Sequence, residues 1–141
     1  MQLNTTRFGT IEISDDRLLA VPDGLLGFEQ HTQFGVLDHA PGSPFRWLQS
    51  VHEPALAFVV IDPFAFFLDY DVLISDADAA QLGLESPEDV EVMALVTFAP
   101  GDITANLVGP VVVNRKTRMA RQLVLSDPRY GTRHTLVLHP T

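Results

Sequence analysis

The chain of 141 residues has no cysteine. Disulfide staples, thiolate metal sites and cysteine nucleophiles are therefore excluded, and a reducing compartment fits. Tyrosine and tryptophan are scarce: Trp47, Tyr70 and Tyr130 are the whole set. An aromatic-lined sugar cleft or a base-stacking strip has little to be built from. Basic residues are almost missing from most of the chain. Residues 1–114 carry three, against seventeen acidic ones. A surface of that sign repels phosphate and attracts a basic protein. Direct binding of nucleic acid is therefore not expected. The longest apolar run, "ALAFVVI" at 55–61, is far short of the roughly 20 residues that span a membrane as a helix. The N-terminal "MQLNTTRFGTIEI" lacks the basic and apolar regions of a signal peptide. No membrane association and a cytoplasmic location are the expectations.

Catalytic signatures are missing too. His31, His39, His52, His134 and His139 form no HxH or HExxH pair. There is no GxSxG elbow and no Walker loop. "DGLLGFE" (23–29) has two glycines, Gly24 and Gly27, but no GK[ST] follows and acids flank it. It reads as a tight turn. Asp69, Asp71, Asp76 and Asp78 lie close together, yet an EF-hand frame from Asp69 puts Ile74 where glycine is required and Ala80 where glutamate is required. No metal, no cofactor and no catalytic residue is expected. The spacing of carboxylates alone leaves open an alternative, a small ligand-binding or hydrolytic β-barrel enzyme.

What the chain does have is a series of short runs rich in β-branched and aromatic residues, separated by Gly, Pro, Asp and Ser. They are 7–13, 17–21, 33–38, 45–50, 55–62, 66–74, 90–99, 103–114, 118–125 and 133–139. Such a series predicts one mainly β domain over 1–141, a small antiparallel β-barrel-like fold. In 90–99, Val90, Val92, Ala94, Val96 and Phe98 share one face, while Met93 and Leu95 lie on the other. This strand is expected to be covered on both sides. "SDADAAQLGL" (75–84) has a capping serine and early acids, and "SPEDV" (86–90) places proline after serine. One or two short helices follow from these signals.

The charge is lopsided. The net is −14 up to Asn114 and +5 beyond it, giving −9 for the chain. Arg115, Lys116, Arg118 and Arg121 follow directly on "NLVGPVVVN" (106–114). Pro110 cannot donate to a β-ladder, so "GP" is expected to bend this run into two strands, as a barrel corner requires. Asn106 and Asn114 flank the bend and are expected to bond backbone groups left unpaired there. Strand alternation puts Arg121 opposite Arg118, so the basic residues do not form one patch. Some of them are expected to pair with the acids of the first 114 residues, and the run is not expected to bind RNA.

Several phrases together resemble the FliW family of flagellar assembly factors. They are "GLLGFE" (24–29, with Gly24, Gly27 and Phe28), "SPFRWLQS" (43–50, with Gln49), "LAFVVIDPFAFFLDYDV" (56–72), "NLVGPVVVNRKTRMARQLVL" (106–125) and "RYGTRH" (129–134). The most specific pattern is carried by Asn106, Leu107, Pro110, Asn114, Arg121, Gln122, Val124 and Leu125. Leu26 stands where the family often has proline, and Gly109 where alanine is common. The resemblance implies a non-catalytic regulator with a small β-barrel-like fold. Its partners would be the RNA-binding repressor CsrA and flagellin, and it would be monomeric alone. Given that resemblance, Asp69, Tyr70 and Asp71 are the expected partner contact, with both aspartates on one side of a strand and Tyr70 on the other. Gly24, Gly27, Phe28, Gln49, Asn106, Pro110, Asn114 and Gln122 are the expected structural motif. Gly27→Val is expected to cost more stability than Leu26→Pro, which is neutral only if the family's usual residue fits this turn.

Overall fold

The computed structural model describes residues 1–137. Eleven strands alternate with three short 3-10 turns and one α-helix: β1 (Gln2–Thr5), β2 (Gly9–Glu12), β3 (Leu18–Ala20), β4 (Gln33–Asp38), β5 (Arg46–Ser50), β6 (Ala57–Ile61), α1 (Asp76–Leu82), β7 (Val90–Ala99), β8 (Asp102–Ala105), β9 (Val111–Asn114), β10 (Ala120–Gln122) and β11 (His134–Thr135). β1 and β2 form a separate hairpin. The others form one sheet in the order β10-β9-β7-β6-β5-β4-β3, with β8 on β7 and β11 on β8. Every ladder is antiparallel. The sheet curls until β3 meets the chain entering β10, where a single parallel bridge joins Ala20 to Met119. The Ala20 N–H donates to the Arg118 carbonyl at 3.0 Å. The barrel-like fold is thus drawn together at this seam without a closing ladder.

The long strand β7 organises both cores. Met93 faces the inner cluster with Leu19, Phe34, Leu48, Val60, Val111 and Val113. Val92 and Ala94 face an outer cluster with Ile61, Tyr70, Leu82, Leu107, Val112 and Leu123. Coverage on both sides, expected from the pattern, holds over 92–94 and is lost from Thr97 on, where the strand is exposed. The outer cluster is roofed by residues 64–84, which are not a strand. The expected strand over 66–74 is absent: a 3-10 turn (Pro63–Ala65) leads into irregular chain up to α1. Val72 and Ile74 pack on the outer cluster, so the apolar alternation is satisfied without a β-ladder. The run at 133–139 yields only β11, and residues 138 and 139 lie outside the described residues, as does His139.

Pro110 does bend the chain. β7 pairs with β8 through Val96 to Ala105 and with β9 through Met93 to Val111. Residues 106–110 must therefore bulge out opposite only Ala94 and Leu95. Proline is tolerated there because its missing N–H has no ladder to serve.

Candidate interaction surface

Tyr70 is the fixed point of the 69–71 segment. Its ring is buried against Phe64 and Tyr130, with centroids 5.6 and 4.8 Å away. Its hydroxyl donates to the Leu107 carbonyl at 2.6 Å. Burial, with a smaller contribution from Tyr130, pushes this phenol above the ordinary range, so it stays a neutral donor. Tyr130 in turn accepts from the Asp71 N–H at 2.8 Å and donates to the Asp69 carbonyl at 3.4 Å. The segment is pinned by two tyrosines, and Asp69 and Asp71 are left facing solvent. The expected sidedness is therefore present although the expected strand is not. Exposed leucines stand on either side: Leu68 is 90% and Leu73 76% accessible. Beside them Arg129 lies over the Tyr130 ring at 5.1 Å and pairs with Asp127 at 2.7 Å. That guanidinium's hydrogen bonds hold the Asp127 carboxyl below the usual carboxylate range.

The family phrases serve as braces for the barrel. Gly24 and Gly27 have φ of +65° and +85°. The turn they form is held by the Phe28 N–H donating to the Leu25 carbonyl at 2.7 Å, with Phe28 packed edge-on to Phe58. Gln122 clamps this turn to the proline bend. Its Oε1 accepts from the Leu26 N–H at 2.8 Å, and its Nε2 donates to the Gly109 carbonyl at 2.9 Å. Asn106 closes the same bend by accepting from the Gly109 N–H at 2.9 Å. The buried Gln49 amide donates to the carbonyls of Pro54 and Leu56, each at 3.1 Å, and so shapes the loop after β5.

One expectation needs correcting. Asn114 does not serve the proline bend. It donates to the carbonyls of Leu82 and Gly83 at the end of α1 and accepts from the N–H groups of Lys116 and Thr117. It thereby ties the helix to the β9–β10 turn. At position 26 a cost for proline is expected from the bond to Gln122. Proline would delete the N–H that Gln122 accepts, so a loss of about 1–2 kcal/mol is expected. Equal melting temperatures for wild type and Leu26→Pro would show that this bond contributes nothing.

The basic run pairs with acids of the first 114 residues, and Arg121 is separated from the others, as expected. Lys116 meets the buried Asp89 at 3.2 Å. Burial alone would raise the Asp89 carboxyl, but Lys116 and the N–H groups of Glu85 and Ser86 outweigh it and hold it low. Arg115 and Arg118 approach Glu91 at 3.8 and 4.0 Å, and Arg46 joins it at 3.2 Å. Arg121 points elsewhere, to Asp23 at 3.1 Å and Asp78 at 2.6 Å. Glu91 as a hub for three guanidiniums was missed. The signal was a lone acid on an apolar strand, which demands a counter-charge. Among the described residues, no group of three or more His, Cys, Asp or Glu is placed to hold a metal ion, and no helix is long and apolar enough to cross a membrane.

Comparison with known proteins agrees with this architecture. The family model described as FliW protein matches residues 2–136. A flagellar assembly factor FliW from Treponema denticola is 41% identical over 139 residues, covering 97% of this chain and 94% of the relative. Another from Magnetococcus marinus is 42% identical over 140 residues, covering 97% and 85%. A crystal structure of the flagellar assembly factor FliW superposes with a TM-score of 0.88 at 36% identity, covering 98% of each chain.

Proposed function

This chain belongs to the FliW family, and from that premise we propose that it is a non-catalytic, protein-binding regulator of flagellar assembly. It binds a CsrA-type translational repressor and flagellin, and so controls flagellin synthesis from the cytoplasm, as a monomer when unbound. One observation carries the choice of surface. Asp69 and Asp71 are exposed, take part in no ion pair among the described residues, and are held on a backbone fixed by Tyr70 and Tyr130. A repressor that grips RNA must present basic residues, and a rigid acidic edge attracts them without an ordering cost. The basic run of this chain is spent on its own acids, which supports protein rather than RNA as the partner.

Pull-down against CsrA, flagellin and single-stranded RNA tests the reading as a whole. At the level of the site, Asp71→Lys is expected to weaken CsrA binding about threefold to tenfold at low salt, mainly through the association rate, with the difference shrinking as salt rises. Unchanged association by a folded Asp71→Lys chain would remove this segment from the interface.

A further inference from the structure

The sheet has a free edge beside the acidic segment. Past β10, the chain continues antiparallel to the proline bend: the Leu123 N–H donates to the Pro110 carbonyl at 2.9 Å and the Leu125 N–H to the Val108 carbonyl at 2.8 Å. Two-residue alternation then turns the N–H groups of Val124 and Ser126 the other way. Neither has a hydrogen-bond partner among the described residues. The edge opens into a groove of about 360 Å³ whose other wall is Asp71, Leu73, Ser75 and Asp78. Folded chains protect such an edge with lysine, proline or a covering loop. Here it is presented with an apolar side chain, Val124, 68% exposed, in the same groove as the exposed Leu73. Of the acids in this groove, Asp78 and Asp127 are already paired with Arg121 and Arg129, whereas Asp71 is not.

We propose that 123–126 is a strand-addition site. The occupant is an extended segment of a partner protein, apolar at one side-chain parity and basic at the other. Its backbone takes up the outward N–H and C=O groups around Val124, its apolar side chains rest on Val124 and Leu73, and a basic side chain meets Asp71. The surface proposed for CsrA shares Asp71, but strand addition does not depend on CsrA being the partner.

The test uses the full chain and a capped peptide of about eight residues in which Lys and Val alternate, a length suited to one strand. Titrated into isotope-labelled protein, it is expected to shift the amides of Leu73, Val124 and Ser126 in a salt-sensitive manner. A Glu/Val peptide, and a Lys/Val peptide N-methylated at alternate residues, are each expected to bind at least about tenfold more weakly. Val124→Pro removes only the outward N–H and leaves the Leu123 and Leu125 bonds, so it is expected to fold and to lose the peptide. Equal binding of the N-methylated peptide, or shifts confined to other surfaces, overturns the proposal; so does full binding by a folded Val124→Pro chain. Should Val124→Pro not fold, the N-methyl comparison on the unaltered chain decides alone. Peptide binding without capture of CsrA supports the edge and sinks the CsrA reading, and the reverse pattern does the opposite.

Discussion

Gly24→Val is expected to be the most damaging single change in the 24–29 turn, lowering stability by about 3–5 kcal/mol. Two effects act together. Gly24 has φ +65°, which strains any side-chain-bearing residue. A Cβ there would also lie 2.5 Å from Glu29 Cα and 2.6 Å from the Phe28 carbonyl oxygen, both backbone atoms that cannot swing aside. Gly27 separates the two effects. Its φ is +85°, but a Cβ would meet nothing within 4 Å. Gly27→Ala is therefore expected to cost only about 1 kcal/mol, the dihedral penalty alone. Thermal melts of Gly24→Ala and Gly27→Ala measure the difference directly. If the two chains melt together, the close approach is not a constraint and the turn relaxes freely.

Asn114→Ala is expected to lower stability by about 2–4 kcal/mol, more than Asn106→Ala. The buried Asn114 amide serves both ends of its dipole. Its nitrogen donates to Leu82 and Gly83 at 2.9 and 3.2 Å, and its oxygen accepts from Lys116 and Thr117 at 2.9 and 3.2 Å. Asn106 contributes one acceptor in the bend. A charge variant sharpens the test. Asn114→Asp keeps the acceptor but sets a carboxylate against two carbonyls at the end of a helix, where negative charge is disfavoured. It is expected to be no more stable than Asn114→Ala. An Asn114→Asp chain with wild-type stability in chemical denaturation would mean that the bonds to α1 do not matter.

The strands were legible wherever local pattern and tertiary environment agree. β4 and β7 begin and end where the sequence runs do, because each run is bounded by turn residues and buries alternate or both faces. α1 was legible because Ser75 and Gly83 are a cap and a stop, and they act as such: Ser75 accepts from the Asp78 N–H at 3.1 Å and Gly83 has φ +66°. The 66–74 run was misread because alternation of apolar residues reports burial on one side, not pairing. Phe66, Phe67, Val72 and Ile74 cover the outer core, and among the described residues none of them pairs in a ladder.

By itself the sequence determined the class: a mainly β chain with no cysteine chemistry, a bend at Pro110, acid through the first 114 residues and base after them. Those properties are local or additive, so they can be read without knowing what lies next to what. Only the tertiary structure decided which asparagine serves which break, that Gln122 joins the Leu26 turn, 96 residues before it, to the proline bend, and that Glu91 gathers Arg46, Arg115 and Arg118. It also decided that the 69–71 segment is held by tyrosine hydroxyls instead of a ladder. The reason is physical. A polar side chain takes an unsatisfied group that folding brings to it, and for Gln122, Asn114 and Glu91 that group lies far away in sequence.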